Sequence, residues 1–277
     1  MSDVYLEVDN VSVSFQTAGR VIEAVRDANF TVRRGEFIAL LGPSGCGKTT
    51  LLHAIGGLTS ISEGTIRCEG TTVNEPGPER IVVFQEFSLF KWRTARGNVE
   101  FGLECKRIPS ARRREITETF LRLVGLDEFM DAYPHQLSGG MKQRVALARA
   151  LAYDSELLLM DEPFASLDAQ NRIVMQALLL RIWDQLHKTV VFVTHDIDEA
   201  IFLSDRIIVM SARPGTIKSE FKISAPRPRT LEYLITPEFM EVKRQVFRSV
   251  QLGEPHGGAL NHESMRTFSL MTRPIGD

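Results

Sequence analysis

The sequence of 277 residues has little cysteine and no excess of either charge. Its three cysteines, Cys46, Cys68 and Cys105, lie far apart and form no C-x-x-C pair, which argues against a disulfide framework or a zinc site and favours a reduced environment. The formal net charge of -2 excludes the strongly basic balance of a general nucleic-acid binder. We therefore expect no nucleic-acid partner.

Long apolar runs are also missing. The most apolar stretches, residues 157–160 and 207–210, are much shorter than the ~20 residues that cross a bilayer as a helix. The first ten residues carry acidic side chains and no apolar core of signal-peptide length. We expect a cytoplasmic protein that reaches the inner face of a membrane peripherally, through a partner.

The pattern along the chain predicts an α/β fold, because apolar runs alternate with segments of helical periodicity. The runs are residues 37–41, 81–84, 157–160, 190–193 and 206–210, and further strands are predicted between residues 4 and 32. Residues 95–135 are rich in Arg and Glu and predict a helical insertion. Pro-rich residues 225–229 predict a linker, and residues 237–250 predict one more helix.

A phosphate-binding loop is predicted between the run 37–41 and the following helix, where the sequence matches G-x-x-x-x-G-K-[ST]. Glycines let the backbone N–H groups turn inward around phosphates, and the helix N-terminus adds partial positive charge. Lys48 would contact the β- and γ-phosphates, and the Thr49 hydroxyl would ligate Mg²⁺. The predicted contacts are Gly42, Pro43, Ser44, Gly45, Cys46, Gly47, Lys48, Thr49 and Thr50.

Two acidic residues follow the apolar run 157–160 and are predicted to complete this site. A carboxylate at the end of a buried strand lies at the carboxyl edge of the sheet, where α/β folds bind ligands. Asp161 is the predicted second ligand for Mg²⁺, and Glu162 the predicted base for the attacking water. A phosphate-loop kinase would carry the same two motifs, so a phosphorylated acceptor is an alternative to free phosphate.

The segment Leu137-Ser138-Gly139-Gly140-Met141-Lys142-Gln143-Arg144 resembles the signature motif of ABC ATPases. Ser-Gly-Gly at a helix start supplies a second anion site of backbone N–H groups and a hydroxyl. The resemblance, over about residues 4 to 222, implies further roles. Gln85 resembles the Q-loop glutamine, which is a ligand of Mg²⁺ and a sensor of the γ-phosphate. Ser166-Leu167-Asp168 resembles the D-loop. His195 resembles the switch histidine, and Phe15 matches the aromatic residue that stacks on adenine.

This resemblance also implies an architecture and an activity. The expected fold is that of a P-loop ABC ATPase, with a RecA-like core, an N-terminal antiparallel β-subdomain and an inserted α-helical subdomain at about residues 90–145. The ATPase domain would cover residues 1–224 and a C-terminal extension residues 225–277. ATP and Mg²⁺ are the implied cofactors. Two copies would close around two ATP molecules, with Ser138, Gly139 and Gly140 of one copy facing Lys48 of the other, and Glu162, His195, Gln85 and Lys48 would serve catalysis.

Finer motifs are similar to those of the nitrate, sulfonate, taurine and bicarbonate importer group. They are Tyr133-Pro134-His135-Gln136, Arg213-Pro214-Gly215 and Pro226-Arg227-Pro228-Arg229, whereas Lys91 departs from the Pro-Trp pair common there. The implied partners are a second copy, an integral-membrane permease and an extracytoplasmic solute-binding protein. An exporter ATPase is one alternative. An ABC ATPase in DNA repair or translation is another, although its usual coiled coils, zinc modules or second cassette are missing.

Overall fold

The computed structural model describes residues 3–17 and 19–251, and the predicted extension beyond 251 lies outside them. The strands are β1 Val4–Thr17, β2 Arg20–Arg33, β3 Phe37–Leu41, β4 Glu63–Cys68, β5 Thr71–Thr72, β6 Arg80–Val83, β7 Leu157–Asp161, β8 Thr189–Thr194, β9 Arg206–Met210 and β10 Ile217–Lys222. The helices are α1 Lys48–Ile55, α2 Ala95–Cys105, α3 Ser110–Leu123, α4 Gly139–Ala152, α5 Ala169–Leu186, α6 Ile197–Leu203 and α7 Pro237–Gln251.

A six-stranded sheet in the order β10-β9-β3-β8-β7-β6 forms the core, and only its edge strand β10 is antiparallel. Every residue of β3, β7 and β8 is buried, as continuous apolar runs require when helices or another sheet cover both faces. Alternate residues enter different cores: Phe37, Ala39 and Leu41 on one side, Ile38 and Leu40 on the other. The predicted α/β fold is confirmed.

A second sheet, in the order β2-β1-β4-β5, is wholly antiparallel. The predicted face of β1 is buried: Leu6, Val8, Val11 and Val13 pack into the core that also receives the inner face of β3 and helix α1. The antiparallel β-subdomain is thus attached beside the phosphate loop.

The helical insertion consists of α2, α3 and α4, whose apolar faces pack together and against the other face of the sheet. Thr94 caps α2 by accepting a hydrogen bond from the Gly97 amide at 3.1 Å. On the outer face of α3, the exposed Arg112 pairs with Glu115 and the exposed Arg114 with Glu118, so these two arginines belong to a solvated helix face.

Two opposite edges of the six-stranded sheet differ in character. At the amino edge, where the parallel strands begin, Arg206 pairs with Glu36 at 3.0 Å and with Glu220 at 2.7 Å. These two partners raise the pKa of the Arg206 guanidinium. The carboxyl edge, where β3, β6, β7 and β8 end, instead carries the residues predicted to bind nucleotide.

The Pro-rich stretch predicted as a linker is packed tightly against the core. Arg227 lies over the ring of Trp183, with its Cζ 4.0 Å from the ring centroid, and donates to Asp205 at 2.8 Å. The buried Arg229 donates to the carbonyls of Ile201, Phe202 and Ser204 at the end of α6. Burial lowers the pKa of Arg229 to about 10.

Helix α7, predicted over residues 237–250, follows this stretch and packs on α6. Within residues 3–17 and 19–251, no helix combines the length and the apolar character that a membrane crossing needs. The boundary between an ATPase domain and an extension at residue 224 stays a prediction.

Candidate nucleotide-binding and catalytic site

The phosphate loop runs from the end of β3 into α1, and its glycines are enforced by close contacts. Gly47 has φ 94°, and a Cβ at that position would lie 2.6 Å from the carbonyl oxygen of Ala24 on β2. At Gly42, a Cβ would lie 2.8 Å from the carbonyl oxygen of Met210 on β9. Only glycine fits at either end of the loop, which is therefore wedged between the two sheets.

Lys48 lies inside this loop rather than in solvent. Its side chain is buried, and Nζ donates to the carbonyl oxygens of Gly42 at 2.8 Å and Pro43 at 2.9 Å. The ammonium group is thereby fixed beside the backbone that would surround a phosphate. The charge required to bind a triphosphate is already at the loop.

Thr49 joins the loop to β7. Its Oγ1 donates to Oδ1 of Asp161 at 2.9 Å, so the two oxygen ligands predicted for Mg²⁺ are adjacent. Asp161 is buried, and burial raises the pKa of its carboxyl group above the usual range, although the Thr49 hydrogen bond opposes this. His53, one turn further along α1, has Nε2 4.0 Å from Asp161 Oδ2, a neighbour that motif spacing does not indicate.

Glu162 and His195 form a pair at the carboxyl ends of β7 and β8. Nδ1 of His195 lies 3.0 Å from Oε2 of Glu162. Glu162 has φ 42°, an unusual conformation for a residue with a side chain, and its amide donates to the Val193 carbonyl at 3.0 Å. That bond ties Glu162 to β8, the strand that precedes His195, and the histidine side chain is 60% exposed.

Gln85 follows β6 at the same edge of the sheet and is exposed. The loop after Gln85 is held by a residue distant in sequence. Arg149 of α4 donates to the carbonyl oxygens of Ser88 at 2.8 Å and Phe87 at 3.2 Å. Burial lowers the pKa of the Arg149 guanidinium. This link between the loop and the helix of the signature motif depends on tertiary packing, and no local pattern predicts it.

Phe15 lies on β1 opposite Ile22 of β2, at the rim of the antiparallel sheet. Its side chain is 42% exposed, so the ring face is available to a ligand. Ala24, which touches the phosphate loop, is two residues from Ile22 on the same strand. Phe15, the predicted adenine-stacking residue, is therefore paired with a strand that reaches the phosphate loop two residues further on.

Ser138 and Asp168 lie at two neighbouring helix N-termini. Ser138 caps α4 by accepting from the Met141 amide at 3.3 Å, and Asp168 caps α5 by accepting from the Asn171 amide at 3.0 Å. That hydrogen bond lowers the pKa of the Asp168 carboxyl group. A Cβ on Gly140 would lie 3.6 Å from the Asn171 side chain, so the two caps adjoin.

The predicted residues thus fall into separate groups. Lys48, Thr49 and Asp161 are connected in sequence or by hydrogen bonds, and Glu162 and His195 form a second pair. No hydrogen bond or ion pair joins Ser138 to Lys48 in the part of the chain that the structure describes. Within one chain, the signature motif and the phosphate loop are not assembled into one site.

A phosphate loop wedged at the carboxyl edge of a parallel sheet, with a carboxylate and a carboxylate–histidine pair beside it, defines a P-loop nucleotide hydrolase. The family model described as ABC transporter matches residues 25–165. The chain belongs to the ABC transporter family. It is an ABC ATPase that binds ATP.

Relatives in this family agree with that assignment. An uncharacterized ABC transporter ATP-binding protein of Methanocaldococcus jannaschii is 51% identical over 243 residues, covering 88% of this chain and 90% of its own length. A nitrate import ATP-binding protein of Synechocystis sp. is 41% identical, covering 88% and 94% respectively. A taurine import ATP-binding protein of Rhizobium johnstonii is 43% identical, covering 87% and 94%. The resemblance to the importer group is thus confirmed.

A solved structure has the same fold. It is a dimeric ATP-binding cassette in a post-hydrolysis state, bound to ADP and Pi, with a TM-score of 0.70 and 32% identity. The match covers 80% of this chain and 100% of that one. The predicted P-loop ABC ATPase fold, with its antiparallel sheet and helical insertion, is confirmed.

Proposed function

We propose that this chain is the ATP-hydrolysing subunit of an importer that takes up a small anionic solute through a separate membrane permease. The observation that carries the hydrolytic half of the proposal is the Glu162–His195 pair, 3.0 Å apart, beside Asp161 and the phosphate loop. A binding module without turnover would have no need of a base oriented by a histidine.

In the proposed reaction, water attacks the γ-phosphorus of ATP as the bond to the β–γ bridging oxygen breaks, giving ADP and phosphate. Glu162 accepts the proton from the water. His195 orients the Glu162 carboxylate and contacts the γ-phosphate, and Lys48 offsets charge on the transferring group. Gln85 would report on the γ-phosphate from the neighbouring strand end.

Thr49 and Asp161 would hold Mg²⁺, with Gln85 as a further ligand. A hydroxyl and a carboxylate oxygen 2.9 Å apart suit this ion, which takes few protein ligands and keeps several waters. When bound, Mg²⁺ neutralises charge on the β- and γ-phosphate oxygens.

The second anion site supports a symmetric dimer. Ser138, Gly139 and Gly140 are exposed or half-buried at the start of α4, and among the described residues no hydrogen bond joins them to the phosphate loop of their own chain. A two-fold axis would bring this helix start onto the phosphate loop of a second copy and would build two equal sites. Asp168, which is hydrogen-bonded to Asn171 beside Gly140, would then lie at the interface between copies.

A groove between the loop after β6 and the start of α4 is our candidate for permease docking. It has a volume of about 930 Å³ and is lined by residues that include Gln85, Leu89, Lys91 and His135. Beside it, Trp92 is 74% exposed, whereas Phe90 packs on Phe101 with ring centroids 4.5 Å apart. An exposed aromatic residue next to an apolar groove is typical of a protein-binding surface.

The class of solute is proposed from the relatives alone. Two relatives more than 40% identical to this chain are named for the import of nitrate, a small anion, and of taurine, a small zwitterion with a sulfonate group. An extracytoplasmic solute-binding protein would deliver the anion to the permease. The proposed location is the cytoplasmic face of the membrane.

Replacing Glu162 by Gln tests the catalytic proposal. The amide cannot accept the proton, so we expect a loss of turnover of at least about 100-fold with ATP affinity within about 2-fold. Trapped ATP should also convert the variant into a dimer. Phosphate release, equilibrium nucleotide binding and size-exclusion chromatography measure the three effects. Turnover close to that of the unchanged protein would refute Glu162 as the base.

Isolating the native complex from membranes tests the transport proposal. We expect this chain to co-purify with an integral-membrane protein, and the reconstituted complex to take up nitrate, an alkylsulfonate or taurine only with ATP. Glu162→Gln complexes are the matched control and should show no uptake. Co-purification with ribosomes or DNA would instead favour a role outside transport.

A further inference from the structure

Arg172, near the start of α5, contacts the two loops that flank the proposed catalytic pair. Its Nη2 donates to the carbonyl oxygen of Leu167 at 3.2 Å, in the segment just before Asp168. Its Nη1 lies 3.6 Å from Asp196 and its Nε 3.8 Å from Glu199, both just after His195. One guanidinium therefore spans the loop after β7 and the loop after β8.

Glu199 carries this contact back to the residue that precedes His195. Its Oε2 accepts from Thr194 Oγ1 at 2.7 Å, and its Oε1 accepts from Gln176 Nε2 at 3.1 Å. The Thr194 hydroxyl in turn accepts from the Asp196 amide at 3.0 Å. The backbone on both sides of His195 is thus closed into one hydrogen-bonded turn, and Glu199 anchors it.

Carboxylates surround the position of Arg172, and its positive charge offsets theirs. A small enclosed cavity of about 40 Å³ is bordered by three carboxylates, those of Glu162, Asp196 and Glu199, and by Arg172 and His195. Glu199 is buried, and burial raises the pKa of its carboxyl group, an effect that the hydrogen bonds from Thr194 and Gln176 and the charge of Arg172 oppose. The ionised carboxylate is the stronger acceptor for Thr194, so the guanidinium favours the form that holds the turn.

We propose that Arg172 is a positioning residue that joins the segment before Asp168 to the turn carrying His195, so that the histidine is held toward Glu162. Arg172 acts through Glu199 and Asp196 and does not touch the nucleotide. The inference rests on the proposed catalytic role of His195. The catalytic role of His195 would then depend on the contact between Arg172 and Leu167, which lies in the loop predicted to cross the dimer interface.

A double-mutant cycle tests the inference. We expect Arg172→Met to lower kcat about 10-fold with the ATP concentration for half-saturation within about 2-fold, and Arg172→Lys to recover part of the rate. In a His195→Ala background, Arg172→Met should lower kcat less than about 2-fold, because the histidine it holds is gone. Glu199→Gln, which removes the charge facing Arg172, should show the same non-additivity. The control is Arg181→Met, on the exposed face of the same helix, with unchanged kcat.

A spectroscopic measurement keeps the test independent of turnover. In the His ring NMR spectrum of the full chain, with the His195 signal assigned by its loss in His195→Ala, Arg172→Met should shift that signal and Arg181→Met should not. An unmoved signal, or losses of kcat that multiply in the double mutant, would overturn the inference and leave the proposed function standing. A His195→Ala protein with the original kcat would instead refute the catalytic role on which it rests.

Discussion

At the scale of single residues, the two adjacent carboxyl groups Asp161 and Glu162 have different environments. Asp161 ends a buried strand, and burial raises its carboxyl pKa above the ordinary 3.8. The unfolded chain releases this proton near pH 3.8, whereas the folded chain retains it to higher pH. Ionisation of Asp161 therefore favours the unfolded state. The resulting loss in the free energy of unfolding reaches its full size above the pKa of the folded state.

We expect Asp161→Asn to raise the free energy of unfolding by on the order of 1 kcal/mol at pH 7 without nucleotide, because it removes a buried charge. The gain should shrink as the pH falls through the folded pKa toward 3.8, because below that value the carboxyl group is protonated in both states. Urea unfolding at pH 7 and pH 5 measures both effects. A variant that is less stable than the original at pH 7 would contradict this account of Asp161.

Motif spacing and physical chemistry predicted much of the site at this scale. Gly42, Lys48 and Asp161 belong to local patterns whose geometry follows from a strand, a loop and a helix. Arg149 and Arg172 were not predicted, because each acts on a loop far away in sequence. An arginine in a helix is usually a solvated side chain, and its sequence neighbours do not indicate which carbonyl it will reach.

At the scale of elements, α6 is held at its C-terminal end by the Pro-rich stretch. Arg229 donates to three carbonyls at the end of α6, a region left without intrahelical donors. At the other end, Lys243 of α7 pairs with Asp198 at 2.7 Å. The short helix that follows His195 is thus fixed by the segment after residue 224.

We expect Arg229→Met to lower the free energy of unfolding by roughly 2–4 kcal/mol, since it leaves buried carbonyls without donors. Arg248→Met, on the exposed face of α7, is the matched control and should change it by less than ~0.5 kcal/mol. Urea unfolding measures both. A loss below about 1 kcal/mol for Arg229→Met would show that water replaces the guanidinium.

Apolar periodicity located the strands and helices but not their packing. The fully apolar runs of β3, β7 and β8 predicted buried parallel strands, as found. Proline in residues 225–229 predicted a linker, because it excludes regular structure. The same prolines are compatible with a rigid, packed segment. This segment is packed because its two arginines contact residues that are distant in sequence, which proline content does not predict.

At the scale of the whole molecule, the separation of Ser138 from Lys48 is the feature on which we base the proposed second copy. We expect a cross-link between a Ser44→Cys copy and a Ser138→Cys copy, because both positions are exposed and would face each other across the dimer. The background needs Glu162→Gln to trap ATP and Cys105→Ser to remove the exposed native thiol.

Mixing the two proteins, in which Cys46 and Cys68 are buried and the introduced cysteine is the exposed one, with a short bis-maleimide should give a covalent dimer with ATP and only a trace without it. Each protein alone is the control, since its dimer has a cysteine at only one of the two facing positions, 44 or 138. Denaturing gel electrophoresis resolves the products. A cross-link independent of nucleotide, or its absence from the mixture with ATP, would contradict the shared site.

The ion-paired amino edge has a practical consequence for following this protein at work. Strand β3 is five residues long, so the amino and carboxyl edges of the sheet are ~17 Å apart along the strand direction. A dye or surface tether attached at the exposed Lys222, on the amino edge, would therefore leave the phosphate loop, the helix start at Ser138 and the groove beside Trp92 unobstructed. Single immobilised molecules labelled there could pair, turn over ATP and meet a permease within one recording.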